Sequence, residues 1–402
     1  MPRFRAAGAC ASCVLLLGCS DRDVRLVAAG GPSKSSAANG PLSLLSFNAA
    51  IGVGLAPHAP ERLDAIERDL PSLGADVLCL QELWQPADLE RIAAVLAREY
   101  PYKHRSVQAR GAGAGAACTD AEATSLLDCL SEHCAAVEKA GLPLCAIANC
   151  ASVFTQVGAP CQQCVVANQA ADDVSNLVQI CSAGDGAAAS YEDQTGLLLL
   201  SKLPLGEPDF LRLESSLGDR GVLRARLDRG AAGTLEVYCT HLAASLNQVP
   251  YTGPYGSWQG ERVQQIERLL AWVEETRAPA AATALLGDLN CGPETSRASA
   301  ASPDAYARFV RAGFEDPYVE SDGRCTFCVN NPLNGSVTDP DEGALIDHIL
   351  LSGLESDAPP TATRILDQLI EIDVGSTPVL TAHSDHYGVQ VTVPGASSSG
   401  SP

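Results

Sequence analysis

Short apolar runs that close on a glycine or a polar residue recur along this chain. The clearest is Leu285-Leu286-Gly287-Asp288-Leu289-Asn290. Side chains alternate across a strand with period two, so a buried strand ending here presents Asp288 and Asn290 on one side. Gly-Asp-x-Asn also makes a simple turn, and alone the run leaves both readings open. Similar runs at Leu42–Phe47, Asp76–Leu80, Leu197–Leu200, Val222–Leu227 and Leu235–Thr240 predict strands. Three of these deliver polar residues: Asn48, then Gln81 with Glu82, then His241. Ala344–Leu351 carries Asp347, and Thr381–Val393 carries His383, Asp385 and His386. Tyr100–His104 reads as extended. Apolar spacing at Leu63, Ile66, Leu70 and Leu73 predicts a helix over Arg62–Leu73, with further helices over Asp88–Glu99 and Glu261–Glu275. Strands alternating with helices in two halves predict a layered α/β or α+β domain with polar groups at one rim.

Residues 112–185 break this pattern. They hold eight cysteines, Cys118, Cys129, Cys134, Cys145, Cys150, Cys161, Cys164 and Cys181, with 118/134/150 and 129/145/161 each stepping by sixteen. Alanine-rich stretches such as Ser125–Ala140 between them predict short helices. An even count predicts disulfides, each contributing about 2–4 kcal/mol. Zinc is the rival reading, because Cys161-Gln162-Gln163-Cys164 has ligand spacing and His133 adjoins Cys134. Cys325 and Cys328 predict a further local disulfide. Cys79 and Cys239, inside predicted strands, read as free core thiols.

Disulfides need an oxidising compartment, and the N-terminus supplies an export signal. Arg3 and Arg5 precede an apolar run from Ala6 to Gly18, too short for a membrane span. Leu16-Leu17-Gly18-Cys19 is similar to a lipoprotein box, in which the signal is cut before the cysteine and Cys19 becomes acylated, so residues 1–19 read as a lipoprotein-type signal segment. Ordinary secretion and an uncleaved anchor are the alternatives. Residues 20–41 read as a flexible linker and 395–402 as a disordered Gly/Ser tail, leaving a main domain at 42–394 interrupted by 112–185. The chain of 402 residues carries a net charge of −21 and only four lysines. That balance argues against a broad nucleic-acid surface and agrees with carboxylates gathered around a cation.

Asn48, Gln81-Glu82, Thr240-His241-Leu242, Asp288 with Asn290, and Ser384-Asp385-His386 occur in an order that resembles the endonuclease/exonuclease/phosphatase superfamily. Thr195-Gly196 followed by Leu197–Pro204, and Arg262-Val263-Gln264-Gln265-Ile266, resemble its intervening sequence. The resemblance covers residues 42–110 and 190–394. It implies a four-layer α/β/β/α sandwich, here with a Cys-rich helical insertion. It further implies magnesium, with manganese or calcium as alternatives, held by Glu82 with Asn48 and Asp385 near the same ion. Asp288 and Asn290 would orient water or the scissile phosphate. His386 would act as general base oriented by Asp347, and His241 would donate to a phosphoryl oxygen. His348 stands where the family usually has tyrosine. His58 and His104 read as plain polar surface, and His383 as either pocket or loop.

The substrate is less constrained. Gln81-Glu82-Leu83-Trp84, then Asp88-Leu89 and Tyr100-Pro101-Tyr102, look like neutral sphingomyelinases. Thr195-Gly196 stands where many nucleases have a carboxylate. Asp316–Glu320, Cys325–Phe327 and Asn330–Asn334 also look closer to that branch. The lead expectation is therefore an exported phosphodiesterase acting on a phospholipid headgroup, brought to membranes by its lipid anchor and holding no stable nucleic-acid partner. A secreted nuclease is the alternative. A non-catalytic surface protein, whose Cys-rich insert binds a protein partner, is the alternative from another class. Tyr251, Tyr255 and Trp258 read either as a lipid-facing loop or as aromatics packed under it.

Overall fold

Apolar residues occupy both faces of the central strands, so these strands must be covered on both sides. The computed structural model describes residues 40–52, 56–105, 115–137, 142–167, 174–183, 195–246, 250–354 and 358–395. Cys19, the expected signal at 1–19, and all but the nearest residues of the expected linker and tail lie outside the described residues. The strands are β1 (Leu42–Ile51), β2 (Val77–Leu83), β3 (Tyr102–His104), β4 (Leu198–Ser201) and β5 (Gly206–Leu213). Next come β6 (Arg220–Asp228), β7 (Thr234–His241), β8 (Ala282–Asp288), β9 (Phe327–Cys328) and β10 (Gly343–Ala344). The last are β11 (Asp347–Ser352), β12 (Thr361–Ile365), β13 (Ile370–Val374), β14 (Thr377–Thr381) and β15 (Gly388–Val393).

Two sheets form, one of six strands in the order β12-β15-β1-β2-β4-β3 and one of five in the order β11-β8-β7-β6-β5. They pack face to face through Leu44, Cys79, Leu199 and Val391 on one side and Leu223, Val237, Leu286 and Ile349 on the other. The alternate side chains of the same strands point outward. Leu45, Phe47, Leu78 and Leu80 meet Leu63, Ile66, Leu89 and Ile92 from helices Ala59–Asp69 and Pro86–Val95. Tyr238, Leu285 and Leu350 meet Ile266, Leu269, Val273 and Phe309 from helices Trp258–Thr276 and Pro303–Arg311. The result is the four-layer sandwich. Both outer helices on the first sheet have proline in their first turn, where its missing N–H costs nothing.

The Cys-rich segment enters between β3 and β4, which are hydrogen-bonded neighbours, so it extends a hairpin connection without disturbing the sheet. Helices Asp120–Cys134 and Leu142–Phe154 pack against each other. Cys134–Cys145, Cys129–Cys150 and Cys118–Cys161 close in nested order, as an antiparallel helix hairpin requires. Cys164–Cys181 forms separately. The two cysteines of the 161/164 pair thus go to different partners, which overturns the zinc reading. Thr119 and Glu122 form a reciprocal capping box at the first of these helices. Gln162 Oε1 accepts a hydrogen bond from Thr252 Oγ1 at 3.1 Å, joining the insert to the aromatic loop of the main domain.

Two expectations change and an open one is decided. Cys79 and Cys239 are not free thiols but a disulfide joining β2 to β7. The inward faces of two separate sheets bring them together, and that pairing has no local signal. His104 is buried rather than surface, with Nε2 at 2.8 Å from the Asp209 carbonyl, and burial lowers its pKa. Tyr251 and Trp258 pack edge to face at 5.0 Å, while the hydroxyl groups of Tyr251 and Tyr255 donate to Glu261 and Glu214. That supports the packed reading of this loop. Among the described residues, no helix is long and apolar enough to cross a membrane.

Candidate active site

Strand register alone gathers half of the site. His241 on β7 lies beside Asp288 on β8, and Asp288 lies opposite Asp347 on β11. In the other sheet, Asn48 on β1 is level with Gln81 on β2, one residue before Glu82. Five strands from two sheets therefore bring these groups to face one another, and the loop before β15 adds Asp385 and His386.

Asn48 links the sheets. Its amide nitrogen donates to Glu82 Oε1 at 3.1 Å and to Asp288 Oδ2 at 3.0 Å, while its oxygen accepts from the Ala50 N–H at 3.1 Å. In this orientation Asn48 bridges two carboxylates as a donor. Asp288 Oδ1 accepts from the Asn290 N–H at 2.9 Å, and Asn290 Nδ2 donates to the Leu242 carbonyl at 3.0 Å. Asn290 has φ 52°, so it sits beyond the strand in a left-handed turn. The strand and turn readings of Gly287–Asn290 are thus both correct, one for each half. His386 Nδ1 meets Asp347 Oδ2 at 2.8 Å, and its Nε2 faces Asp288 Oδ2 at 3.9 Å. His241 Nε2 lies 3.4 Å from Asp288 Oδ2 and 3.9 Å from Glu82 Oε1. Neither His241 ring nitrogen has a hydrogen-bond partner although the ring is buried.

Burial and neighbouring charge perturb four groups of the site. Burial and Asp385 raise the Glu82 pKa, with His386 and Asn48 offsetting part of this. Burial and Asp347 push Asp288 to about 7. Burial disfavours charge on His386, yet Asp347, Asp385 and Asp288 surround it and hold its pKa well above the ordinary value. His241 goes the opposite way, because burial, Arg220 and His386 all disfavour its charged form. Crowded carboxylates with raised pKa values fit a divalent cation, which would offset their repulsion. Ligand atoms of Asp288, Asp347 and His386 lie within 4.8 Å of one another, and Asp347 Oδ1 is buried without a partner. The donor set of Glu82, Asp385, Asp288 and Asp347 oxygens suits a hard ion such as magnesium. Cys325, Cys328 and Asp341 are equally close together, but both sulfurs are engaged in a disulfide and offer no thiolate.

The backbone is bent to achieve this placement. Glu82 has φ 57° and Ala50 φ 48°, both in the left-handed region. Gly196, at φ 65°, packs directly under Glu82 and Trp84, and a Cβ there would come within 3.3 Å of Glu82 Cα. At Gly287 a Cβ would meet the Thr240 carbonyl oxygen at 2.0 Å, so only glycine lets β7 and β8 approach at the level of Asp288. Arg62 is fully buried and donates to the carbonyls of Pro57, Ala49, Ala50 and His383, strapping the bulged end of β1 to the loop that carries Asp385.

Other expected residues lie elsewhere. Gln81 turns inward and bonds Ser46 and the Cys79 carbonyl, away from the site. His383 Nε2 pairs with Asp69 at 2.9 Å, a loop-anchoring contact. His348 lies behind the site, between Asp316 Oδ2 at 2.6 Å and the Cys291 carbonyl at 2.9 Å. Sequence reasoning missed Arg220. Its guanidinium stacks over Trp84 at 5.1 Å, is largely buried, and faces the charges of Glu82, Asp288 and Glu261. It stands at the start of β6 beside Gly221, with no periodicity to mark it.

The chain matches the Endonuclease/Exonuclease/phosphatase family over residues 45–366. Among solved structures it resembles sphingomyelinase C from Streptomyces griseocarneus, with TM-score 0.52, 17% identity, and coverage of 88% of this chain and 99% of that one. It also resembles SmcL, with TM-score 0.54, 13% identity, and coverage of 88% and 99%. A third is beta toxin from Staphylococcus aureus, with TM-score 0.52, 12% identity, and coverage of 87% and 99%. At these identities the likeness is one of fold. By sequence, no curated protein matches the chain.

Proposed function

Because the chain belongs to the Endonuclease/Exonuclease/phosphatase family, we propose that it is an exported, divalent-cation-dependent phosphodiesterase that cleaves a phospholipid headgroup diester with an activated water, as a sphingomyelinase C does. The observation that carries this reading is the convergence of Glu82, His241, Asp288, Asp385 and the Asp347–His386 pair at the ends of two packed sheets.

The roles follow from position. Glu82 and Asp385 would hold the cation, and Asn48 orients Glu82 and Asp288 by donating to both. A cation held there would supply positive charge beside the phosphoryl oxygens. His386 takes the proton of the attacking water at Nε2, and Asp347 at Nδ1 stabilises the imidazolium that forms. Asp288 and Asn290 orient the water or the scissile phosphate. His241, held neutral by its surroundings, donates a ring N–H to a phosphoryl oxygen, and Arg220 faces the same charge.

The lipid reading is supported by the sphingomyelinase-like Gln81–Trp84 segment and by the absence of a basic excess in a chain of net charge −21. Trp84 and Phe327 also place aromatic rings beside His241 and His386. Disulfides inside and outside the insert support export. The test offers purified protein with magnesium to sphingomyelin vesicles, plasmid DNA and bis(4-nitrophenyl) phosphate, beside Glu82→Ala and His386→Ala. Phosphocholine release abolished by both changes is expected. DNA nicking without lipid turnover replaces the substrate with nucleic acid, and no hydrolysis under any divalent cation removes the enzyme reading altogether.

A further inference from the structure

Thr326 is fully buried between Cys325 and Phe327 and is hydrogen-bonded on every side. Its N–H donates to the Ala344 carbonyl at 3.0 Å, and its own carbonyl accepts from the Tyr387 N–H at 2.8 Å. Its hydroxyl oxygen accepts from the backbone N–H of Ile346 and of Asp347, each at 3.1 Å. A hydroxyl has two acceptor lone pairs, and both are used on the segment that carries Asp347. One residue thus fastens the backbone under Asp347 and, through Tyr387, the backbone next to His386. The side chains of those two residues meet at 2.8 Å.

The surroundings keep Thr326 from moving. The Cys325–Cys328 disulfide closes a loop of four residues around it. Arg364 Nη1 donates to the Cys325 carbonyl at 2.9 Å, and its guanidinium lies over the Tyr387 ring at 4.7 Å. The next side chain, Phe327, sets its ring 5.0 Å from the His386 imidazole. We infer that Thr326 is a positioning residue for the Asp347–His386 pair, its hydroxyl setting where the Asp347 carboxylate stands and its carbonyl holding, through the Tyr387 N–H, the loop that presents His386. The kinetic part of this inference rests on the hydrolase reading above, and the spectroscopic part does not.

The test compares Thr326→Val, which keeps shape and loses the acceptor, with Thr326→Ser, which keeps the acceptor. Thr326→Ala serves in place of valine if that variant unfolds on thermal melting. With magnesium and bis(4-nitrophenyl) phosphate, Thr326→Val is expected to lower kcat by about 10²-fold, the scale of a small misplacement of a reacting group. KM stays near the parent value, and serine restores most of the loss. In an Asp347→Asn background the valine change adds little, because both act through one contact. Independently of turnover, the low-field proton resonance of His386 Nδ1–H, identified by its loss in Asp347→Asn, is expected to vanish in Thr326→Val and persist in Thr326→Ser. Parent-like kcat with an intact resonance in Thr326→Val overturns the inference. So does a valine effect that multiplies fully with Asp347→Asn, or a serine variant as impaired as valine. If the parent protein hydrolyses nothing, the hydrolase reading fails and the resonance alone decides the role of Thr326.

Discussion

Cys79 and Cys239 are bonded to each other across the two sheets, three residues before Glu82 on β2 and two before His241 on β7. Between them the chain runs for 160 residues, so the bond closes the longest loop of any described disulfide. It ties together the strands that carry a proposed cation ligand and a proposed phosphoryl donor. Replacing both residues by alanine is expected to cost about 2–4 kcal/mol, seen as a lower midpoint in urea denaturation. An unchanged midpoint would mean that sheet packing alone holds the two strands.

Asp288 stands at about 7 against an ordinary 3.8, so between those values the folded chain keeps a proton that the unfolded chain has released. Its contribution to stability is complete below the unfolded value and is lost as pH rises through about 7. Glu82 and His386, both raised, slope the same way. His241, lowered from 6.5, opposes them, losing stability as pH falls below that value. Within the site three groups stand against one, so the site's share of stability in chelator-treated protein is expected to fall from about pH 5 to about pH 7, which the difference between the parent and Asp288→Asn isolates. Urea midpoints across that range check this, and Asp288→Asn should flatten the slope.

Glu82 combines a left-handed backbone with a carboxylate that Asp385 repels. Glu82→Gln removes the charge and keeps the shape. In chelator the variant is expected to be more stable by about 0.5–2 kcal/mol, as is usual when a functional strain is relieved. Magnesium at about 100 times its dissociation constant should stabilise the parent by about 2.7 kcal/mol and leave the variant unmoved. Melting curves with and without magnesium measure both effects. A variant that still responds to magnesium would relocate the cation away from Glu82.

Residues that end strands were legible in the sequence. Apolar runs closing on Asn48, Glu82, His241 and Asp288 marked both the strand and the chemistry, because buried strands tolerate polar side chains chiefly at their ends. The family order of these motifs carried the sandwich. The Asp347–His386 contact came from the family order and is present at 2.8 Å. What lay hidden depends on contacts between elements. Cys79 and Cys239 meet only because two sheets stack in one register. The eight insert cysteines revealed disulfides but not their nesting, which comes from the antiparallel packing of two helices. Asn48 was expected beside a cation, yet its amide is oriented by the Ala50 N–H, a bond made by a bulge that apolar patterning does not encode. His104 read as surface because its partner, the Asp209 carbonyl, is on a different strand.

Arg220 yields the sharpest test of the phosphate position. Burial lowers its pKa, but Glu82, Asp288 and Glu261 oppose that and favour the charged form. Its Nε is buried without a partner, and its ring-like plane rests on Trp84 at 5.1 Å. A desolvated cation placed beside a phosphoryl group gains more in the transition state, where negative charge on oxygen has grown, than with bound substrate. Arg220→Ala is therefore expected to lower kcat by about 10²–10³-fold on bis(4-nitrophenyl) phosphate. Arg220→Lys should recover only part of this, since lysine keeps the charge but loses both the flat stack on Trp84 and the forked donor geometry. Steady-state kinetics of the two variants check the order. Full recovery by lysine would reduce the role of Arg220 to charge alone, and a parent-like alanine variant would place the phosphate out of its reach.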